Sequence, residues 1–214
     1  MLPDPLTAIL LGALLGLRHA TDADHVVAVT AIVARERTIG GAARIGALWG
    51  IGHTMTLLAV GGAIVAFRVV VPPRVGLALE FSVAMMLILI GFANLRARDA
   101  EPAPRSAARP FLVGLVHGLA GSAAVALLVL ATIRSTVGAL IYLAVFGVGT
   151  IAGMVTVTIL LALPALYAGS RVARLHTGIR YAAGTLSIAF GLLLARGLVV
   201  EGGLFSASPT WVPH

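Results

Sequence analysis

The chain has 214 residues, 59% of them hydrophobic and 11% charged, with no cysteine and a mean hydropathy of +1.05. A soluble domain carries about 25% charged residues, so a water-exposed globule is excluded, and the lack of cysteine excludes disulfide staples, thiolate metal sites and thiol-relay electron carriers. The net charge of +7 comes with fifteen basic residues that are all arginine; they stand between apolar runs rather than on one patch, so they read as topology determinants and not as a nucleic-acid surface.

Six apolar stretches are expected in chain order, over about 5–34, 44–67, 76–95, 110–133, 136–163 and 178–200, which suits six spans of about 20 residues each. The first seventeen residues hold no arginine, so the start reads as a retained first span rather than a signal peptide. Arg35-Glu36-Arg37 follows span one, Arg68 to Arg74 with Pro72-Pro73 follows span two, and a polar linker from Arg96 to Arg109 divides the chain. Arg134-Ser135 forms a tight turn and Arg171 to Arg180 the last loop. The loops after spans one, three and five hold Arg35, Arg37, Arg44, Arg96, Arg98, Arg105, Arg109, Arg171, Arg174 and Arg180, against Arg68, Arg74, Arg134 and Arg196 on the other side. That ten-to-four bias predicts a multi-pass protein of the cell (inner) membrane with both termini outside the cytoplasm.

The halves repeat. A shift of 98 lays Gly16-Leu17-x-His19 on Gly114-Leu115-x-His117, a shift of 97 lays Gly50-x-Gly52 on Gly147-x-Gly149, and a shift of 100 lays Gly91 and Arg96 on Gly191 and Arg196. Three spans per half make the halves insert with opposite orientation, and inverted repeats of this kind place a site near the midplane between them. The expected fold is an all-α polytopic membrane protein, residues 1–214 as a single domain, with repeat one over about 5–95, the linker over about 96–109 and repeat two over about 110–200.

Chemistry concentrates in the first span, where Arg18-His19-Ala20-Thr21-Asp22-Ala23-Asp24-His25 interrupts an oily run. Ionisable side chains inside a span are costly and mark function. Histidine with carboxylate offers ligands that suit divalent first-row metals. On a straight helix His19, Asp22 and His25 share one face and Asp24 points elsewhere, while His19 and His25 stand roughly 9 Å apart along the axis. Two imidazoles that each bind at about 2 Å cannot bridge that gap. Either the helix is broken here or the residues serve different coordination shells, and a break is tolerated where it lines a polar cavity. A polar network that merely ties helices together is the bland alternative for His19, Asp24 and His25. Asp22 reads as a ligand, as the orienter of a histidine, or as the counter-ion of Arg18.

The motif resembles the signature of the nickel/cobalt transporter family and of its smaller relatives, the urease-accessory-type nickel permeases, and Gly52-His53-Thr54 is similar to the family's second motif. The second half reads Gly114-Leu115-Val116-His117-Gly118-Leu119-Ala120-Gly121-Ser122, closer to the short permeases than to the longer transporters. The resemblance implies a transporter of Ni2+ or Co2+, associated with uptake, with His19, Asp24, His25 and His53 as metal residues. His117 is a possible ligand or pathway residue, Ser122 a possible oxygen donor, and Thr150 stands at the position matching His53, so that repeat two is poor in ligands. Arg18, Glu80 and Asn94 are supporting candidates, for charge balance, a vestibule or packing, while His176 and His214 read as solvated. No prosthetic group is implied; the partners are the transported ion and the lipid bilayer. The alternatives are an exporter of the same fold and an intramembrane metal-dependent hydrolase. The hydrolase would want a helical His-Glu-x-x-His with a general base beside the metal, and the sequence has none.

Overall fold

The computed structural model describes residues 5–36, 38–67, 71–97, 106–119, 133, 135–168 and 173–211. Its helices are α1 (Pro5–His19), α2 (Ala23–Val33), α3 (Ile39–Phe67), α4 (Pro73–Arg96), α5 (Ala108–His117), α6 (Thr136–Ala168) and α7 (Ala173–Arg196), with a π-helical turn at Gly197–Glu201. No strand occurs among the described residues. Four stretches are long and apolar enough to cross a membrane, Ile39–Ile64, Pro73–Arg96, Thr136–Pro164 and Thr177–Glu201; Ile9–His19 and Ala23–Val33 are shorter apolar helices. The chain is a helical membrane protein.

The expected first span is therefore two half-helices. The expected fourth begins as α5, and its continuation over 120–132, Ser122 included, lies outside the described residues. Leu10, Leu14, Leu89, Val148, Leu160 and Leu193 are all more than half exposed, an apolar outer face that hydrocarbon can solvate. With lipid outside, burial of oil no longer drives helices together, and close backbone approach through small residues takes over.

Glycines set that approach. A methyl group added at Gly16 of α1 would run into the carbonyl of Phe146 on α6, and one at Gly114 of α5 into the carbonyl of Trp49 on α3. Likewise Gly52 of α3 abuts the Phe111 carbonyl of α5, and Gly149 of α6 abuts the Ala13 carbonyl of α1. The same exchange holds for α4 and α7: a methyl at Gly91 would lie 2.6 Å from the Gly184 carbonyl, and one at Gly191 would lie 2.8 Å from the Ala84 carbonyl. So α1 packs on α6 as α5 packs on α3, and α4 packs on α7. Side-chain hydroxyls stitch the same seams, Thr56 donating to the Leu115 carbonyl at 3.0 Å and Ser187 to the Leu87 carbonyl at 2.7 Å.

One sequence-level assignment changes here. Arg180 is not a loop charge: it lies within α7 and is buried. Its Nη1 donates to the carbonyls of Asn94 at 2.6 Å and Leu95 at 3.3 Å. Those carbonyls end α4, where the helix has no further amide to offer and a cation is favoured. Asn94 returns a bond to the Arg180 carbonyl at 3.3 Å, so it serves packing. Glu80, also buried, accepts from the indole of Trp211 at 2.8 Å. The segment that carries Trp211 folds back over the start of α4, where Arg74 donates to the Ser206 carbonyl at 2.9 Å.

Candidate functional site

The site grows from the end of α1. After His19 the chain turns, with the Thr21 and Asp22 amides donating to the Arg18 and His19 carbonyls at 2.8 and 3.1 Å, and α2 restarts at Ala23. Asp22 holds the N-cap position of α2, yet its side chain does not cap the helix. An aspartate there ordinarily accepts from the first free amides. Here its Oδ2 accepts instead from His19 Nδ1 at 2.8 Å. The cap has been given up to orient a histidine.

The turn also redirects Asp24. On an unbroken helix it would face away from His19 and His25; with the break it faces inward. Its Oδ1 accepts from the His25 amide at 2.9 Å and from His25 Nδ1 at 3.0 Å, and its Oδ2 accepts from His117 Nε2 at 2.9 Å. The expectation that Asp24 points elsewhere is corrected, because it rested on a continuous helix.

Two further helices bring in the other imidazoles. His53 stands on α3 beside Gly52, and its Nε2 lies 3.1 Å from His19 Nε2. His117 closes α5, ahead of Gly118, across the groove that Gly114 opens onto α3. His25 is the hub, its ring centre 4.6 Å from His19, 5.2 Å from His53 and 4.1 Å from His117. All four rings are buried.

Hydrogen bonding decides which nitrogens are bare. A carboxylate only accepts, so each neutral imidazole that touches one donates to it. His19 and His25 carry that proton on Nδ1 and His117 carries it on Nε2, which leaves His19 Nε2, His25 Nε2 and His117 Nδ1 as lone pairs. His53 Nε2–H can satisfy His19, which bares His53 Nδ1. His25 Nε2, His53 Nδ1 and His117 Nδ1 are buried and find no hydrogen-bond partner among the described residues. Each such orphan costs about 1–3 kcal/mol. A cation that accepts lone pairs relieves that cost. The donor atoms that lie within 4.8 Å of one another form two triads, His19–His25–His53 and Asp24–His25–His117.

The remaining candidates stand apart. Thr150 is buried and donates to its own helix, to the Phe146 carbonyl at 2.9 Å. Arg18 is exposed, and both nearby carboxylates pair with histidines. Asn94 lies in the α4–α7 seam, and Glu80 pairs with Trp211. The side chain of His176 and the whole of His214 lie outside the described residues.

Two aromatic residues were missed by reading motifs alone. Trp49, fully buried, stacks on His25 with ring centres 6.0 Å apart and flanks His117 at 5.5 Å, while Phe146 flanks His19 at 5.4 Å. The signal was available: the shift of 97 that relates the halves lays Trp49 on Phe146.

No protein-family model matches the chain, and no solved structure does. The chain is similar to the urease accessory protein UreH of Bacillus sp. (strain TB-90), with 32% identity over an alignment 220 positions long that takes in 94% of this chain and 96% of that protein.

Proposed function

Because the chain belongs to the nickel/cobalt transporter family, among its short urease-accessory-type nickel permeases, we propose that it carries nickel into the cytoplasm, and cobalt with it, through the His19, Asp24, His25, His53 and His117 cluster. The family sets it among transporters rather than enzymes. The observation that carries the site assignment is the buried group of unpartnered imidazole nitrogens on α2, α3 and α5, gathered around His19 at the end of α1. Nitrogen-rich sites with one or two carboxylates favour borderline divalent ions, and nickel binds such sites more tightly than cobalt in the usual order. Magnesium and calcium prefer all-oxygen shells. Asp22 orients His19 from behind, a role that such carboxylates commonly fill at metal-binding histidines.

The same reading extends to architecture. Six spans in two inverted repeats, within one domain, are supported by the exchanged close approaches: Gly16 on Phe146 answers Gly114 on Trp49, and Gly91 on Gly184 answers Gly191 on Ala84. Each pair maps onto the other under the shifts that align the halves. Half-helices ending at His19 and His117 then meet at the cluster from opposite sides, which suits alternating exposure of one bound ion.

Two measurements test this. Nickel and cobalt should displace one another from the purified protein at concentrations far below those at which magnesium competes. Bound metal needs bare imidazole and ionised carboxylate, so protons compete with nickel and its affinity should fall as the pH is lowered. Tighter binding in acid, or equal binding of magnesium, would remove the cluster from its assigned role. Topology is tested by reporter fusions: a cytoplasmic signal is expected after Arg105 and an external one after His214, and the reverse pair would invert the route.

A further inference from the structure

The donor atoms do not gather around one point. They fall into two triads of three, and among the described residues no larger group joins His117 to His19 or His53. His25 is the only residue the triads share. We propose that the cluster is two overlapping ion positions on one path, an outer position made by His19, His25 and His53 and an inner one made by Asp24, His25 and His117, and that a single ion passes between them while His25 keeps hold of it. This rests on the transport reading above and gives it an order of events.

The most exposed carboxylate at the cluster sets the outer end. Asp22, which backs the outer triad through His19, has a side chain 35% exposed; Asp24 is 17% exposed, and the side chains of His25 and His117 are wholly buried. A carboxylate left open in the middle of a membrane protein is tolerable only where water reaches it, so water reaches Asp22, beside the outer triad, whose own ligands His19, His25 and His53 are buried. The outer triad is three imidazoles without a carboxylate of its own. The inner triad contains Asp24, whose charge partly neutralises a divalent ion in surroundings where an unbalanced charge is costly. An ion shedding its water is therefore met first by neutral nitrogens and drawn on by a carboxylate.

The handover is a ligand exchange and needs no other reactant. His19 and His53 release as Asp24 and His117 take their places. Asp24 must surrender the hydrogen bonds from His25 and His117, at 3.0 and 2.9 Å in the empty site, to turn its oxygens to the ion. The outer triad lies wholly on α1, α2 and α3, while the inner one recruits α5. Movement of the ion inward thus transfers its grip from one half of the chain to a pair of helices drawn from both halves.

The test uses the full chain purified in detergent, with nickel chloride as the probe. Nickel content, X-ray absorption at the nickel edge and nickel uptake by cells are read for His25→Gln, His53→Gln and His117→Gln, each confirmed monodisperse by size exclusion. Two positions predict that His53→Gln and His117→Gln each still retain one nickel, weakened about 10–100-fold, the range by which lost supporting groups weaken metal sites. They predict shells that differ, imidazoles alone in His117→Gln and imidazole with carboxylate in His53→Gln. Uptake is lost in both, and His25→Gln retains no nickel. If His53→Gln and His117→Gln lose nickel as fully as His25→Gln while remaining folded, the site is one undivided cage and the proposal falls. If His117→Gln takes up nickel like the unsubstituted chain, the inner position is not on the path and the proposal falls. Failure of the unsubstituted chain to bind nickel would overturn the transport reading itself, and is told apart from the other outcomes by that control alone.

Discussion

Replacing His25 with alanine should abolish nickel uptake and weaken nickel binding by about 100-fold or more, since loss of a mere hydrogen-bond partner of a metal-binding histidine already costs about 10–100-fold. No other residue touches as much of the site. Its ring centre lies 4.1–5.2 Å from those of His19, His53 and His117, it belongs to both triads, and it carries one of the orphan nitrogens. The variant also leaves a cavity beside Trp49, so the thermal midpoint should be read in parallel; a fully buried large-to-small change costs about 2–5 kcal/mol. Asp22→Asn provides the graded comparison. It keeps the shape beside His19 but no longer favours a proton on His19 Nδ1, so binding should fall about 10–100-fold without disappearing. Normal uptake by His25→Ala would detach the cluster from transport.

Gly16→Ala should damage both folding and binding. The added methyl meets the Phe146 carbonyl and the Thr150 amide, which are backbone atoms of a long helix and cannot swing aside. Overpacking of this kind costs about 1–3 kcal/mol, and at about 2–4 °C per kcal/mol for a chain of this size the midpoint should drop by several degrees. His19 lies one turn further along α1, so the same displacement moves a site nitrogen and nickel affinity should fall with stability. Gly114→Ala should reproduce the result at Trp49 and His117, because it is the counterpart contact. Gly178→Ala is the control. Nothing lies within 4 Å of a methyl at that position, and alanine gains about 0.8–1 kcal/mol of helix propensity over glycine. Equal midpoints for Gly16→Ala and Gly178→Ala would remove the glycine interlock from the account of folding.

The order of the helices and the residues of the candidate site were legible because both depend on features local in sequence. Apolar runs announce spans, and His19, Asp24 and His25 announce themselves by their cost inside one. The direction of Asp24 was not legible, since three residues of turn at Ala20–Asp22 rotate everything after them and no periodicity reports a break that short. Arg180 was misplaced for a related reason. An arginine near the start of an apolar run looks like a loop residue, and only the fold brings the last carbonyls of α4, about eighty-five residues earlier in the sequence, to receive it. Trp49 looked like one more large apolar residue until its partners were known. The matched glycine spacings, by contrast, were visible in the sequence, and those glycines make contacts that the spacing could not pair.

The exchanged glycine contacts have an evolutionary reading. On the two-repeat view, a half-chain by itself would carry one helix with no groove to lie in and one glycine-lined groove with nothing to fill it. Two copies of such a half, inserted in opposite senses, satisfy each other completely, so the present chain has the form of an antiparallel dimer whose subunits have been fused. A symmetric ancestor of that kind would have had to carry every polar residue twice. Fusion lifts that constraint. Residues Ala120, Ser122 and Ala123 stand where a shift of 98 would place Asp22, Asp24 and His25, and Thr150 stands in for His53. On that view one half has kept the proposed metal residues and the other has become their scaffold, contributing the single imidazole of His117.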